Sequence, residues 1–502
     1  MPDNMRLLTK LVSQLGKDNV LTDPEHLYVY SHFGEFGIKP LKQPLAIIRM
    51  GDSLNESHLT ELIENSGVRV VRNDQPEKIE ENQGPYLLLD VQKPVTIDML
   101  LNRLHMLDEK RGDQKQTLKE VSSFSHWIVS SLQGGDGFRL WENDEDIGFC
   151  VVQSFFDDVQ TYSSKGRLLL AKGYLNGELG ASELLSDSIY SCTTCGQCYD
   201  QVSLDSLEVN NLIIKTRNKL TQDNNAPRSF NTALENIKTH GNPAGLPQED
   251  RVLWIEEQVE KHPYRGNPVL FWPGCTTSYR LPELVEDTAM ILEEAGYDFG
   301  LLGENEGCCG LILYLSGHWE EAKSNGAKIL ESLDGVERLV TNCSGCYYCF
   351  SRIYPILGLD VPFDVVHTSQ MIKESILDER LQLKEYKGSY TWHDPCDLGR
   401  HSHVYEAPRY VLKSIPGLNL VEPILNREHA VCCGAGGGLW MYREELTNHV
   451  SQIKLTETLP ENIDGIISGC PTCLLSLRNT AKEKKPALRV LDIVEIVKTC
   501  IQ

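Results

Sequence analysis

One pattern constrains this chain more than any other: cysteines in the order C…CC…CxxC, written twice in the C-terminal half. The first copy is Cys275, Cys308, Cys309, Cys343 and Cys346; the second is Cys396, Cys432, Cys433, Cys470 and Cys473. The gaps are 32 and 33 residues in the first copy and 35 and 36 in the second. Flanking sequence repeats with them. FWPGC (271–275) answers to WHDPC (392–396), EGCCGLI (306–312) to AVCCGAGGG (430–438), and VTNCSGC (340–346) to ISGCPTC (467–473). The offset between copies grows from 121 at the first cysteine to 124 at the pair and 127 at the CxxC. Two copies of one domain with small loop insertions show that drift.

The chain holds 16 cysteines, and only Cys150, Cys349 and Cys500 stand outside the repeat and one further triplet. Grouped thiols in a reducing compartment read as metal ligands rather than disulfides. From about residue 266 the hydrophobic pattern alternates strand and helix, which predicts α/β layers with parallel strands. The first and last cysteine groups of each copy fall at strand ends, and such loops converge along one edge of a parallel sheet. Gly307, Gly310, Gly434 and Gly436 would let backbone approach a cofactor closely there. Structural zinc is satisfied by four ligands. Five thiolates with an adjacent pair suit a larger cluster with bridging ligation, and the alternative is a scaffold of two zinc sites, each with a spare thiol.

These motifs resemble the cysteine-rich CCG domain of the heterodisulfide reductase catalytic subunit and its relatives. Those include the iron–sulfur subunits of glycolate, lactate and anaerobic glycerol-3-phosphate dehydrogenases. The likeness spans roughly residues 160–485 and takes in SSKGRLLLAKGYLNGEL, GNPAGLPQEDRVLW, PGCTTSYR and HDPCDLGRH. The resemblance implies two noncubane [4Fe-4S] clusters on the ten cysteines and one-electron chemistry at a thiol or disulfide. The alternative it offers is an electron-transfer subunit of a flavin-dependent 2-hydroxy-acid or glycerol-3-phosphate dehydrogenase. Either way, it implies an electron-transfer or flavoprotein partner subunit.

The further triplet, Cys192, Cys195 and Cys198, opens like a bacterial ferredoxin run, C-x2-C-x2-C-x3-C-P. Val202 and Ser203 stand where that run has its fourth cysteine and proline. A [4Fe-4S] or [3Fe-4S] cluster with an open fourth position is expected, filled by Asp200, Asp205, Cys150 or nothing. The surrounding sequence, 160–265, is predicted as a helical ferredoxin-type domain.

The chain as a whole reads as an α/β multidomain protein. Residues 1–125 form a small α/β region, with strands over 44–50, 68–72 and 86–91 and helices over 57–67 and 96–107. Residues 18–91 resemble the start of the FAD domain of glycolate/lactate-type oxidases. DQPEKIEENQGPY (74–86) stands where that domain has its Gly-rich phosphate loop, and FAD is not expected on this chain. The CCG domains follow over 266–380 and 386–502.

His393, Asp394, Arg400 and His401 flank Cys396 and are candidates to donate protons or orient a substrate at the second site. Cys349 reads as a buried helix cysteine or a spare ligand, and His367 as a strand-end residue. A net charge of −23 opposes binding to nucleic acid or anionic lipid. No run approaches the roughly 18 apolar residues of a membrane span. The mixed-charge N-terminus lacks the apolar stretch of a signal peptide, so a cytoplasmic location is expected, with docking to a membrane-bound partner left open.

Overall fold

The computed structural model describes residues 2–31, 44, 46–49, 59, 63, 69–72, 86–90, 150–156, 159–198 and 206–501. The chain folds as two units, Met1–Ile189 and Tyr190–Gln502.

The first unit holds a sheet of β1 (Val20–Leu21), β2 (Ala46–Arg49), β3 (Arg69–Arg72) and β4 (Tyr86–Asp90) in the order β1-β2-β4-β3. β2, β4 and β3 run parallel and β1 is antiparallel to β2. Ala46, Ile47 and Ile48 are all buried, which is the pattern of a strand covered on both faces. Helix Pro2–Leu15 sets Leu7 and Leu11, one helical turn apart, into the same cluster as Val20, Ile48, Leu59 and Ile63. The acidic segment 74–85 and the helix expected over 96–107 lie outside the described residues. The cluster therefore shows an α/β region without bearing on its likeness to a flavin domain. Ser163 caps helix Ser164–Leu175, its Oγ accepting from Gly166 N at 2.9 Å.

The second unit carries two more four-stranded sheets. The first is β5 (Val269–Phe271), β6 (Phe299–Gly300), β7 (Arg338–Thr341) and β8 (Asp364–His367), in the order β6-β5-β7-β8. The second is β9 (Gly388–Trp392), β10 (Leu418–Leu420), β11 (Gly465–Ser468) and β12 (Arg489–Asp492), in the order β10-β9-β11-β12. All pairings in both are parallel. The strand order reverses between the first and third strand of each sheet, and ligands in open α/β sheets bind at that switch point, outside the strands' carboxyl ends. The chain leaves β5 and β9 toward Cys275 and Cys396, and leaves β7 and β11 toward Cys343 and Cys470. The fold thus delivers two of the three cysteine groups of each copy to its switch point.

The two sheets share one apolar core that includes Phe271, Met371, Trp392, Ile467 and Val497. Helix Glu283–Glu294 of the first module packs on Ile493–Ile501 of the second, and Thr368–Leu377 packs on Glu406–Lys413. Helices Ser206–Gln222 and Arg228–His240 cover the first module through Ile214, Leu234 and Ile237. The second of these stops at Gly241, whose φ of 67° places it in the left-handed region that ends helices. The helical stretch expected over 160–265 is therefore divided, with Ser164–Leu175 in the first unit and the pair over 206–240 in the second.

Candidate iron–sulfur centres

In the first module, the Cys275 thiol interacts with that of Cys308, Cys308 with Cys309, Cys309 with Cys346, and Cys346 with Cys343. All five expected ligands therefore form one connected group of thiols. Cys275 follows Gly274, whose backbone lies at φ 80° and ψ 161°, a conformation reserved almost entirely for glycine. A Cβ there would sit 2.8 Å from Cys346 Sγ. Glu306 locks this turn to the CC loop: its Oε1 accepts from Gly274 N at 2.9 Å and from Arg251 Nη1 at 2.6 Å. Both side chains are buried, and burial pushes the Glu306 carboxyl up to about 7 against the pull of Arg251.

In the second module, the thiols of Cys432 and Cys433 interact, Cys433 and Cys473 lie 3.1 Å apart, and Cys473 also interacts with Cys470. Cys396 sits in the electrostatic field of Cys432 and Cys433. Hydrogen bonds from Cys432 and Cys473 push Cys433 down to about 5, while Cys473 is pushed well up.

Two details repeat in both modules. Gly310 N donates to Cys308 Sγ at 3.4 Å, and Gly434 N donates to Cys432 Sγ at 3.3 Å, each glycine having positive φ. These are the backbone hydrogen bonds to sulfur that tune iron–sulfur potentials. Cys349 Sγ donates to Cys309 O at 3.2 Å, and Ser476 Oγ donates to Cys433 O at 2.9 Å. A hydroxyl does in the second copy what the thiol does in the first, so Cys349 has the place of a structural donor. Gly307 and Gly436 serve packing instead. A Cβ on Gly307 would meet Ile329, and one on Gly436 would lie 2.5 Å from Thr193 O.

The triplet lies against the second module. The Cys195 thiol interacts with that of Cys432, and Thr194 N donates to Cys192 Sγ at 3.3 Å. Arg217, fully buried, donates to Cys192 O at 2.7 Å and to Gly437 O at 3.0 Å, tying the triplet loop to the glycine run. Asp200 and Asp205 lie outside the described residues. Cys150, in the first unit, accepts from Arg167 Nη1 at 3.2 Å.

Of the four residues flanking Cys396, three hold hydrogen bonds to other parts of the chain. Asp394 accepts from Arg409 at 2.7 and 2.8 Å, from Trp392 Nε1 and from Arg427 N. Arg400 donates to Cys195 O, Glu428 O and Ala430 O. His401 meets Thr194 O at 2.9 Å. One ring nitrogen of His401 also lies within 4.8 Å of Cys396 Sγ and an Asp397 oxygen, and one of His393 within 4.8 Å of Cys433 Sγ and Cys473 Sγ. Burial holds the His393 imidazole neutral, down to about 3. His367, at the end of β8, meets Gly469 O at 2.8 Å.

Sequence reading passed over Arg217, Arg251, Glu306 and Lys454. Lys454 is buried beside Cys432 and Cys433, and burial lowers its ammonium to about 8. A signal was available for it: Leu446, Val450 and Lys454 fall on one buried row of helix Glu444–Glu457. Arg217 continues the buried Ile213–Ile214 stripe in the same way.

The donor sets fit iron–sulfur clusters: odd in number, four of each five buried, paired through CC, and hydrogen-bonded by backbone at sulfur. All sixteen cysteines are free of disulfides. Two switch-point sites of this kind on tandem parallel sheets define an iron–sulfur oxidoreductase of the tandem cysteine-rich class. The cysteine-rich domain family (CCG) matches residues 269–351 and 390–478. A subunit of the dihydromethanophenazine:CoB–CoM heterodisulfide reductase of Methanosarcina barkeri is 31% identical over 348 residues, 67% of this chain and 84% of that protein. EtfAB:quinone oxidoreductase of Syntrophomonas wolfei is 27% identical over 333 residues, 62% of this chain and 46% of that protein. A subunit of the fumarate reductase (CoM/CoB) of Methanothermobacter marburgensis is 27% identical over 314 residues, 62% of each chain. The chain belongs to the heterodisulfide reductase family of tandem CCG iron–sulfur oxidoreductases, several of which work as subunits of larger complexes. Among the described residues, no helix is long and apolar enough to cross a membrane.

Proposed function

We propose that each five-cysteine site holds one noncubane [4Fe-4S] cluster and that the pair moves electrons singly to a disulfide or from two thiols. The observation that carries this reading is the meeting of the two CxxC loops. Ser344 Oγ, inside the first loop, donates to Gly469 O, one residue before the second, at 2.7 Å. From the second module, Asp397 Oδ2 reaches within 3.5 Å of a Cβ position on Gly345, itself 3.8 Å from Cys343 Sγ. A small molecule seated between the loops would touch both sites.

Bound clusters would supply one-electron transfer and iron that a sulfur can bind. The chain supplies the rest. Burial keeps water from the thiolates, and Gly310 and Gly434 steady the first sulfur of each pair. Cleaving a disulfide takes up two electrons and two protons and leaves two thiols. Asp394, Arg400 and His401 act here by holding the second site and the triplet loop in place, each through the hydrogen bonds given above.

The triplet would hold a third cluster, [4Fe-4S] or [3Fe-4S]. Its contact with Cys432 makes the second module the entry point for electrons from a partner. The relative named EtfAB:quinone oxidoreductase favours a second reading, in which the chain relays electrons for a flavoprotein partner and reduces no disulfide itself. One assay separates them. Anaerobically purified protein, reduced with dithionite, is offered small organic disulfides and free thiols are counted. Thiol release in step with cluster oxidation supports the first reading. Clusters that exchange electrons with a flavoprotein but release no thiol from any disulfide support the second.

A further inference from the structure

The two modules differ in metal-binding capacity at a matched position beside the thiols. Trp272 and His393 each stand three residues before the first cysteine of their module. Their backbones are equivalent: Trp272 N donates to Val340 O and His393 N to Ile467 O, both at 2.8 Å. An indole has one N–H and no lone pair to give a metal, whereas a neutral imidazole has one.

The His393 ring is buried, and one of its nitrogens lies within 4.8 Å of both Cys433 Sγ and Cys473 Sγ. Neither Nδ1 nor Nε2 has a hydrogen-bond partner. Buried polar atoms rarely stay unpaired, so two on one ring beside two thiols call for a specific partner. The neighbouring polar side chains do not provide it. Asp394 is taken up by Arg409, Trp392 and Arg427; His401 spends Nε2 on Thr194 O, and its own ligand-range neighbours are Cys396 and Asp397 rather than His393.

We propose that His393 is a sixth protein ligand of the second centre, its ring nitrogen bonding to iron alongside the five cysteines, while the first centre is held by thiolates alone. This rests on the reading that a cluster occupies the second five-cysteine site. Histidine ligation raises the potential of an iron–sulfur centre relative to an all-thiolate one. The second centre therefore takes up an electron more readily than the first, and electrons arriving through the triplet collect there.

The test uses the whole protein, purified anaerobically with 15N-labelled histidine. Pulsed EPR is recorded on the signal that Cys433→Ser abolishes. The expected result is the hyperfine coupling of a directly bonded histidine nitrogen, absent from the signal that Cys309→Ser abolishes. His393→Gln should keep the second signal, remove that coupling and lower the midpoint potential. A second-module signal with no histidine coupling, or a coupling that survives His393→Gln, overturns the ligand assignment and leaves the cluster standing. Absence of any signal dependent on Cys433 removes the second cluster, and both readings with it.

Discussion

The two CCG modules share a strand order, a cysteine order and the same two backbone hydrogen bonds around the CC pair, yet they hold those cysteines by different means. In the first, a buried carboxylate, Glu306, clamps the turn before Cys275 and is answered by Arg251. The second cannot copy this clamp, because Pro395 replaces Gly274 and has no N–H, and Ala430 replaces Glu306. It uses Arg409 instead, which bridges Asp394 and Glu422. Beside the thiols, Trp272 and Ile329 in the first module face His393 and Lys454 in the second. The last pair is matched by two 14-residue helices, Trp319–Ser332 and Glu444–Glu457. Topology sets where the sulfurs meet, and divergence has acted on the charge around them. One site is largely apolar outside its single ion pair. The other is rich in nitrogen donors and cations.

The largest expected effect tests whether the modules are separate sites. Cys309→Ser and Cys433→Ser should each bleach a different EPR signal and lower iron and inorganic sulfide by equal, matching amounts. Loss of both signals from either variant would break the separation. Next comes the buried clamp of the second module. Arg409→Met leaves Asp394 and Glu422 buried without their cation, and breaking such a pair costs about 3–5 kcal/mol. Anaerobic urea unfolding should show that loss, and a change below about 1 kcal/mol would mean that the pair is solvated in solution.

Gly274→Ala probes the first module alone. Its positive φ and the close Cys346 sulfur predict a cost of about 1–3 kcal/mol and weaker cluster loading in the first module, with the second unaffected. Lys454→Met probes the second alone. A buried cation favours the reduced, more negative cluster, so its removal should lower the midpoint of the second centre in a redox titration. The smallest effect lies where the modules join. Burial raises Asp287 to about 6, against Lys498 at 3.4 Å. A carboxyl whose folded pKa lies above its unfolded value of about 3.9 loses stability as pH rises through the window between them. Stability should therefore fall from about pH 4 to pH 6 through this group. Asp287→Asn should flatten that part of the profile, seen in urea midpoints, and an unchanged slope would place the titration elsewhere.

The cysteine framework was legible from sequence because ligands must be cysteines and glycines mark close approach, so the repeat survives in the letters. The strand at 44–50, the helical character of 160–265 and the parallel sheets were legible for a similar reason, since apolar periodicity is written locally. The clamps were not. Arg251 reaches Glu306 and Arg217 reaches Gly437 across long stretches of chain, and only folding brings such partners together. His393 was visible as a neighbour of Cys396, but its approach to Cys433 and Cys473 depends on which way the ring leaves β9. Cys349 reads from sequence as a buried helix cysteine or a spare ligand, and the matching hydrogen bond of Ser476 favours the structural place.

The central claim is that two five-cysteine sites each hold an iron–sulfur cluster. Iron, zinc and acid-labile sulfide measured together on anaerobically purified protein, alongside Cys309→Ser and Cys433→Ser, test it most directly. The expected result is iron together with acid-labile sulfide and no zinc, with each variant losing equal amounts of iron and sulfide. Zinc without inorganic sulfide, unchanged in either variant, would contradict it.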